Sequence, residues 1–596
     1  MPSAAFSALS QAIQTRFKLL RKKAFARGSE IGLIACAVIA GMAAGGAVSA
    51  MSCVSKALHS LIFGISQNEW LSASSIDNKL LLLSAPIAGG AVMGIIFLTL
   101  RKRRNRPIVD PIEANALYGG RISLTDSIIV AVQNLISNGF GASVGLEAGY
   151  TQLSSGIASK LGTKLSFRRE DLRILVGCGA AGAIAAAFNA PLTGAFYAFE
   201  LIIGTYSTIA LAPVVVAAIV ATLIARALSG NTFLIEIGDI GLIAPGDFIP
   251  AILLGAFCAA LGIFIMKGVA FIEQVARKSS IHMALRPALG GIVVGLLAML
   301  TPQVLSAGHG ALHLNLETEN SLVTLAVIFL LKATASAVSI GSGFRGGLFF
   351  ASLFMGALLG KIFAFPADML IDGSLTPTVY AVVGMSSLAV ALIGGPLTMT
   401  FLALEITGDF PITALVLAAV ISSSVVVRTT FGYSFATWRF HLRGESIRSA
   451  HDIGWIRNLT VDKLMRPDVK KAKSDISLQA FRENFPLGSA QRAVIVDEND
   501  RYVGIVLVPD VYAHESSGEE PRSLETFIRY RNDFLQPQMN AKQATSIFDK
   551  THSDALVVVN NLIERRVIGQ LSEAHTLRRY SEELDRRRRE AVGETI

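Results

Sequence analysis

The sequence predicts an all-α polytopic membrane protein with an internal repeat, followed by a small α/β unit. The chain of 596 residues is 52% hydrophobic and only 16% charged, with a mean hydropathy of +0.53. This composition lies well away from that of an ordinary soluble protein. Apolar stretches that could span a bilayer recur between residues 31 and 427, whereas the remainder carries short strand-like runs between charged segments.

Several apolar stretches have the length of a membrane span, and others are too short. The long ones are 31–50, 80–100, 209–228, 249–269 and 322–340. The stretches 176–188 and 388–397 are short or are interrupted by glycine or proline. Broken helices are tolerated at membrane depth only where they pack inside the protein or line a cavity. This pattern favours a transporter over the alternative of a large soluble enzyme.

Basic residues flank the first two predicted spans. One cluster lies between Arg16 and Arg27, before the first span, and a second occupies residues 101–106, after the second span. The positive-inside rule places both clusters in the cytoplasm. We therefore expect a basic cytoplasmic segment at 1–28 without a cleavable signal, and cytoplasmic termini. We also expect that the net charge of +9 reflects topology and not nucleic-acid binding.

Glu147 is the most informative single residue. It lies in the glycine-containing run 141–149, inside an otherwise apolar region. A carboxylate at membrane depth is costly and usually faces a cavity, a partner or an ion pathway. The following stretch, 151–161, can start a helix, and a helix N-terminus attracts anions. A carboxylate there competes with a dissolved anion for the same N–H groups, which is the chemistry of a gate.

The two halves of the membrane region share a repeated motif. In each half a glycine lies twelve residues before Pro191 or Pro396, which opens the sequence Pro-Leu-Thr. A glutamate, Glu200 or Glu405, follows nine residues after that proline. Repeats with interrupted helices predict a transport site between the halves. Both glutamates are expected to accept hydrogen bonds from a neighbouring loop, although a role in coupling stays open.

The segments 145–149, 188–194 and 343–349, in this order, resemble the CLC family of chloride channels and transporters. The resemblance covers roughly residues 30–440. It implies a membrane domain over 29–440 with two inverted repeats at about 80–228 and 247–428, in a homodimer whose subunits each have their own anion pathway. It also implies a multi-pass protein of the bacterial inner membrane.

The same resemblance assigns roles to particular residues. It makes Glu147 the gating glutamate, which swings in and out of an anion site. The backbone N–H groups that would bind the anion belong to Gly145, Leu146, Ala148, Leu348 and Phe349. Helix ends supply partial positive charge without a full cation that would trap the anion.

This sequence also departs from the family pattern. Leu146 stands where the family often has arginine, and no serine occurs in the run 106–113, where the family has an ion-coordinating one. The family's tyrosine of the inner constriction corresponds to Ala436, beside Phe435. We therefore expect a wide or weakly selective constriction. A structure in which Tyr433 or Ser434 closes the constriction would contradict this expectation.

Proton coupling is not decided by the sequence. Proton-coupled members often carry a second glutamate at the position of Leu201, but some coupled members lack it. A passive channel, voltage-gated as in some members, and a proton-coupled antiporter both remain open, with a lean toward weak or absent coupling.

Three polar residues near these motifs have more than one interpretation. Lys332 is expected to pair with a buried carboxylate, although it could attract anions or reach an interface. Arg345, inside the second glycine loop, is expected to be structural, with anion attraction as the alternative. His309 is expected in a loop, without a metal role.

From residue 441 the chain changes character and resembles a pair of CBS domains, at about 458–515 and 533–580, with a basic tail. Strands are predicted at Arg492–Val496 and 503–508, and again at Ala555–Val559 and 567–571. Nucleotide sites in such modules pair a Ser or Thr with an Asp, and each copy keeps half of that pair, as Asp510 or Ser572. This disfavours adenine-nucleotide binding and favours a packing role.

We conclude that the chain transports chloride or a similar small anion across a lipid bilayer, with protons as a possible second partner. The alternative is a magnesium-type cation transporter regulated by CBS domains, which would need clustered carboxylates. No catalytic triad, phosphate-binding loop or metal motif was found, so we expect neither an enzyme nor a resident cofactor. The anion's identity and the direction of flux are outside the reach of the sequence.

Overall fold

The computed structural model describes residues 30–103, 108–230, 243–370, 375–442, 459–513 and 523–592. The chain divides into two compact units, Met1–Asp452 and Ile453–Ile596. The predicted cytoplasmic segment 1–28 and part of the second basic cluster lie outside the described residues. So do residues 443–458, which include the division between the units.

The first half of the membrane unit is helical. Its helices are α1 (Glu30–Phe63), α2 (Lys79–Arg103), α3 (Pro111–Leu117), α4 (Leu124–Gly139), α5 (Glu147–Lys164), α6 (Arg169–Phe188), α7 (Pro191–Tyr197) and α8 (Thr208–Ser229). A short π-helical turn, Ala198–Ile203, follows α7 directly.

The second half repeats this organisation. Its helices are α9 (Phe248–Lys278), α10 (Arg286–Leu300), α11 (His309–Glu317), α12 (Leu322–Ser342), α13 (Phe349–Leu370), α14 (Pro377–Ile393), α15 (Pro396–Thr407), α16 (Phe410–Thr430) and α17 (Phe435–Leu442). Single 3₁₀ turns precede α9 and α11, at Pro245–Asp247 and Pro302–Val304.

Eight helical segments among the described residues are long and apolar enough to cross a bilayer. They include α1, α2, α8 and α12, which cover predicted spans. The helices α7, α10, α14 and α15 are apolar but shorter. This mixture of full-length and interrupted helices is the membrane architecture that the hydropathy pattern predicted.

The interruptions have a local cause that is the same in both halves. Between α6 and α7 the chain passes through Asn189 in the left-handed region, at φ +57°. Between α14 and α15 it passes through Gly394 and Gly395, at φ +88° and +72°. Each following helix then opens on a proline, which needs no N–H partner at the first helical position.

Small residues allow close helix packing in the core of the membrane unit. Gly356 and Gly360 of α13 lie against Gly384 and the carbonyl of Tyr380 in α14. A Cβ atom added at Gly360 would collide with that carbonyl oxygen. In lipid the hydrophobic effect does not drive helices together. Van der Waals packing of backbones that approach closely at glycines holds them together instead.

The C-terminal unit contains two small sheets. In the first, β1 (Lys471–Lys473) runs parallel to β2 (Arg492–Val496), which pairs antiparallel with β3 (Tyr502–Leu507). In the second, β4 (Ala555–Val559) pairs antiparallel with β5 (Val567–Ser572). The helices of this unit are α18 (Val461–Leu464), α19 (Leu478–Asn484), α20 (Val508–Ala513), α21 (Ala541–Thr551) and α22 (Glu573–Val592). The four predicted strands, β2 to β5, lie within about one residue of their predicted positions, as is usual for strand ends, whereas β1 was not predicted.

We predict that Gly360→Ala lowers the free energy of unfolding by about 1–3 kcal/mol, because the new methyl group forces α13 away from α14. Thermal unfolding of the detergent-solubilised protein measures the effect. Gly268→Ala in α9 is the matched control, since nothing lies within 4 Å of its added Cβ. That change should be neutral or stabilise by up to about 1 kcal/mol. Equal stability of the two variants would contradict the packing described.

Candidate functional site

The two glycine loops pair with each other. One loop joins α4 to α5, and the other joins α12 to α13. The N–H of Gly145 donates to the carbonyl of Gly347 at 2.9 Å, and the N–H of Gly347 donates to the carbonyl of Gly145 at 3.2 Å. Each loop leaves its preceding helix through a left-handed glycine, Gly141 at φ +85° or Gly343 at φ +116°. The pairing brings the two halves of the repeat together at one point.

Asn134 of α4 holds this pair of loops in place. Its buried amide nitrogen Nδ2 donates to the carbonyl of Gly145 at 2.9 Å and to that of Arg345 at 3.1 Å. Its Oδ1 accepts from the N–H of Gly149, in the first turn of α5, at 2.8 Å. One fully buried side chain thus satisfies groups from both loops and from the helix that follows.

Serine and asparagine side chains complete the support. Ser143 is hydrogen-bonded to α12: its N–H donates to Ser339 Oγ and its hydroxyl pairs with Ser336 Oγ, both at 3.0 Å. Asn138 Nδ2 donates to the carbonyl of Val144 at 2.8 Å. The N–H of Arg345 donates to Ser137 Oγ at 3.0 Å. The loops are therefore fixed by their backbone, which suits a site built from backbone groups.

Two helices begin at the paired loops. The helix α5 starts at Glu147, not near Thr151 as the sequence suggested, so Glu147 is its first residue. In the other half α13 starts at Phe349. Leu146, which precedes α5, provides no side-chain cap for the free N–H groups. Both N-termini, each with a partial positive charge, thus lie next to the Gly145–Gly347 pair.

The Glu147 carboxylate folds back over the loops. It is 5% exposed, and the backbone N–H groups of Glu147 and Phe350 hydrogen-bond to it. A Cβ atom at Gly145 would collide with its Oε2, and one at Gly347 would lie 3.7 Å from the same oxygen. Within the described residues Oε2 has no hydrogen-bond partner. The carboxylate occupies the space that the two glycines leave open.

Glu147 also lies at the boundary between two cavities. One, which we call the Asp110 cavity, has a volume of about 610 Å³ and is lined by Asp110, Tyr197, Ala148, Leu348 and Phe349 among others. The other, the Trp70 cavity, has about 310 Å³ and is lined by Trp70, Lys56, Leu146, Phe188 and His309 among others. Glu147 lines both cavities.

The two cavities lie at opposite ends of the membrane helices. The Trp70 cavity is lined by Val48 to His59, near the end of α1, and by residues of the connection to α2. The Asp110 cavity is lined by Phe97, near the far end of α2. A third recess, of about 900 Å³ around Gly119 and Arg169, shares no lining residue with either cavity.

An aromatic stack connects the Trp70 cavity to the start of α13. The Trp70 ring stacks on His309 at 4.9 Å between centroids, and His309 stacks on Phe350 at 3.6 Å. Phe188 then lies 4.8 Å from Phe349. Contrary to expectation, His309 is the first residue of a helix, α11, and not a loop residue.

The residues of the predicted inner constriction line the Asp110 cavity. Phe435 and Ala436 are both on its wall, together with Ile108 from the run where a serine was missing. Tyr433 does not line this cavity and lies instead against Phe431 and Trp438, at 6.1 and 5.5 Å between ring centroids. The wide constriction stays a prediction.

Each of the two repeated glutamates forms hydrogen bonds with the other half of the membrane unit. Glu200 accepts from the N–H groups of Leu397 and Thr398, at 3.0 and 2.8 Å, at the start of α15. Glu405 accepts from the N–H groups of Leu192 and Thr193, both at 2.8 Å, at the start of α7. Each threonine hydroxyl adds a bond of 2.7 Å. Each carboxylate thus caps the Pro-Leu-Thr helix of the other repeat.

Lys332 has different surroundings from those expected, whereas the backbone of Arg345 takes part in structural hydrogen bonds. Lys332 is fully buried, yet its Nζ donates to the carbonyls of Val304 and Ser306, at 3.1 and 2.8 Å, and not to a carboxylate of the described chain. Arg345 lines the Asp110 cavity while its backbone is held by Asn134 and Ser137. The expected carboxylate pairing of Lys332 is therefore wrong.

In the C-terminal unit, Asp510 and Ser572, the two residues kept from the nucleotide-binding pattern, each contact another residue of the unit. Asp510 forms an ion pair with Arg529 at 2.7 Å. Ser572 Oγ accepts from the N–H of His575 at 3.4 Å. Burial, followed by the charge of Arg578, lowers the pKa of His575, so its imidazole is neutral at pH 7.

The sequence did not point to Asn134, Asn138 or Trp70. The signal was present for the asparagines, because α4 carries a buried polar face that includes Gln133 and Ser137. A buried polar stripe on a membrane helix indicates partners inside the protein. Which loops those partners belong to depends on contacts far apart along the chain.

We predict that Asn134→Ala lowers the free energy of unfolding by about 2–4 kcal/mol, because it removes three hydrogen bonds to the backbone, two of them fully buried. Thermal unfolding in detergent measures the change. Asn320→Ala is the control, since Asn320 bonds to other side chains near the end of α11 and lines neither cavity. A loss of stability in Asn134→Ala no larger than in that control would contradict the role of Asn134.

Comparison with known proteins agrees with this geometry. The family model described as "Voltage gated chloride channel" matches residues 89–428. The "Voltage-gated ClC-type chloride channel ClcB" of Escherichia coli O81 is 28% identical over 355 residues, which cover 58% of this chain and 84% of that protein.

Two solved structures share the fold. A "slow cyanobacterial Cl-/H+ antiporter" superposes with a TM-score of 0.60 at 21% identity, over 69% of this chain and 97% of that one. A "eukaryotic CLC transporter" superposes with a TM-score of 0.59 at 16% identity, over 91% of this chain and 97% of that one. The matched family model and the shared fold, centred on the paired glycine loops, show that the chain belongs to the CLC family of voltage-gated chloride channels and transporters.

Proposed function

We propose that this protein moves chloride or a similar small anion across the membrane through a pathway gated by Glu147. One observation carries the proposal. The Glu147 carboxylate lies against the paired glycines, next to two helix N-termini, and lines the cavities on both sides. A negative side chain therefore occupies the place that is best suited to a negative ion.

The gate follows from competition for the same groups. The carboxylate is held by backbone N–H groups and by helix dipoles. These groups carry partial positive charges and not the full charge of a cation. An anion gains the same interactions once the carboxylate leaves. Because partial charges bind more weakly than a paired cation would, the anion can also leave again. Both states of the gate then have similar free energies.

The two cavities provide the approach from each side. With the termini in the cytoplasm, as the basic clusters predict, the Trp70 cavity faces outward and the Asp110 cavity faces the cytoplasm. The wall of the Asp110 cavity at Phe435, Ala436 and Ile108 carries no hydroxyl. We therefore propose that selectivity at these three positions is weaker than at the glycine loops, while Tyr197 and Thr151 provide hydroxyl groups elsewhere on the wall.

The same carboxylate serves a passive channel or a proton-coupled exchanger. In a channel it only opens and closes. In an exchanger it also carries a proton when it leaves the loops, and the proton must then reach the cytoplasm without a carboxylate at Leu201. The slow cyanobacterial relative named above is an exchanger, whereas the Escherichia coli relative is named a channel.

The cation-transport alternative is less compatible with the arrangement of carboxylates. A magnesium site needs several carboxylate or carbonyl oxygens facing one ion. Glu200 and Glu405 instead accept hydrogen bonds from the starts of α15 and α7. Their arrangement favours a structural role, and we propose no catalytic function for the chain.

The remaining assignments extend this proposal. We propose a homodimer in the bacterial inner membrane, with one pathway in each subunit. The C-terminal unit acts as a CBS-like packing module without a nucleotide, because Arg529 neutralises Asp510 and His575 is neutral.

Anion flux from liposomes tests the proposal. Proteoliposomes loaded with chloride should release it in the presence of valinomycin and external potassium-free buffer, while external pH is followed. We predict that Glu147→Ala keeps chloride release but removes any proton movement seen in the wild type, because the gating carboxylate is gone. Glu69→Ala is the matched control, since Glu69 is exposed and lines neither cavity.

The outcomes separate the two modes. Proportionate proton movement in the wild type and in the control indicates an exchanger. Chloride release without protons indicates a channel in which Glu147 is a gate only. Absence of chloride release from wild type, control and Glu147→Ala alike would contradict the proposed function.

A further inference from the structure

Lys332 is a buried lysine of α12 that has no counter-charge beside it among the described residues. Its side chain is 0% exposed, and its Nζ donates to the carbonyls of Val304 and Ser306. No carboxylate lies within ion-pair distance of it in the described part of the chain. Burying an ammonium group is strongly unfavourable, and carbonyl dipoles offset only part of that cost. A nearby anion would offset more of it.

Lys332 lies directly behind the wall of the Trp70 cavity. Ser306, whose carbonyl accepts from Lys332 at 2.8 Å, lines this cavity. A Cβ atom added at Gly308 would lie 3.5 Å from Lys332 Nζ. The next residue, His309, lines the cavity and is within electrostatic range of Lys332. The ammonium group is thus separated from the cavity by one layer of backbone.

The wall of the Trp70 cavity itself is suited to an anion. Lys56 and Arg226 line it, and Glu147 is the one acidic residue among its described lining. Ser49 also lines the cavity, is 8% exposed, and its hydroxyl has no partner among the described residues. Lys56 Nζ lies 4.8 Å from the Trp70 ring centre. When Glu147 is protonated, the charged residues that line this cavity are all positive.

We propose that the Trp70 cavity holds an anion site of its own, separate from the site between the glycine loops. Its ligand is a small monovalent anion such as a halide, and Lys332 is its buried counter-charge. Lys56 and Arg226 attract the anion, and the Ser49 hydroxyl is free to donate to it. The site rests on the proposed function in one respect, namely that its anion is the one transported.

The site has a consequence for transport. While the Glu147 carboxylate occupies the loops, an anion can wait in the Trp70 cavity beside it. The positive charge of Lys332, Lys56 and Arg226 then performs the attraction that an arginine at the position of Leu146 would have supplied. Opening of the gate lets the waiting anion enter the loops directly.

The fluorescence of Trp70 gives a direct test, because its ring lines the cavity and iodide quenches an indole that it contacts. The chain has three tryptophans, so the background variant carries Trp438→Phe and Trp455→Phe. We predict saturable quenching of Trp70 by iodide in this background. We further predict that Lys332→Gln, which keeps N–H donors but removes the charge, raises the half-saturating iodide concentration at least about tenfold. Lys332→Arg should keep it.

Lys361→Gln is the matched control. Lys361 is also a buried lysine, 8% exposed, and its Nζ donates to the carbonyls of Asn315, Leu316 and Thr318. Like Lys332 it is not part of the lining of either cavity, but none of its carbonyl partners lines the Trp70 cavity, so its replacement should leave the quenching curve unchanged. If Lys332→Gln does not yield folded protein, Lys56→Gln combined with Arg226→Gln tests the same site.

Linear, non-saturating quenching in the background variant would overturn the proposal. Equal quenching curves for the background variant and for Lys332→Gln would also overturn it. That result would mean that iodide contacts Trp70 without a site that uses the charge of Lys332. The result is independent of the flux assay. Saturable quenching with no chloride flux would leave the site intact and remove the proposed function, whereas flux without saturable quenching would remove only the site.

Discussion

The structure depends on the pairing of two glycine loops across the internal repeat. The reciprocal bonds between Gly145 and Gly347 join the two halves of the chain at one point, and Asn134 ties both loops to α4 and α5. The loops meet through backbone groups, whose N–H donors carry only partial charges, whereas the arginine of the second loop, Arg345, lines the Asp110 cavity. Because the loops are fixed by buried hydrogen bonds, the starts of α5 and α13 stay next to each other, and any movement of the gate falls to the Glu147 side chain.

This arrangement explains why a carboxylate can be buried at the centre of the membrane unit. Helix N-termini and backbone N–H groups stabilise it without neutralising it fully. Its Oε2 has no hydrogen-bond partner in the described chain, so its hold on the loops is incomplete. An anion of the right size can replace it. The reciprocal caps of Glu200 and Glu405 show the opposite case, in which every carboxylate oxygen is bonded and the side chain has a fixed position.

Features that depend on local sequence were predictable. The apolar spans, the strands of the C-terminal unit, the repeated Pro-Leu-Thr motif and the importance of Glu147 follow from hydropathy, turn residues and the cost of a charge in lipid. Features that depend on contacts between distant segments were not. The sequence could not show that Glu200 caps α15, that Asn134 binds Arg345, or that Lys332 faces carbonyls and not a carboxylate. The start of α5 at Glu147 was missed by four residues because the glycines suggested a longer loop.

The most direct test of the central claim is to locate an anion between the glycine loops. Crystals of Glu147→Gln and of the wild type grown in bromide should be compared by anomalous scattering. A neutral glutamine no longer competes for the loop N–H groups, so we predict a bromide peak beside Gly145 and Gly347 in the variant. The wild type should show a weaker peak or none, with the carboxylate in that place. Equal peaks in both proteins, or a variant without bromide at the loops, would contradict the claim that carboxylate and anion exclude each other there.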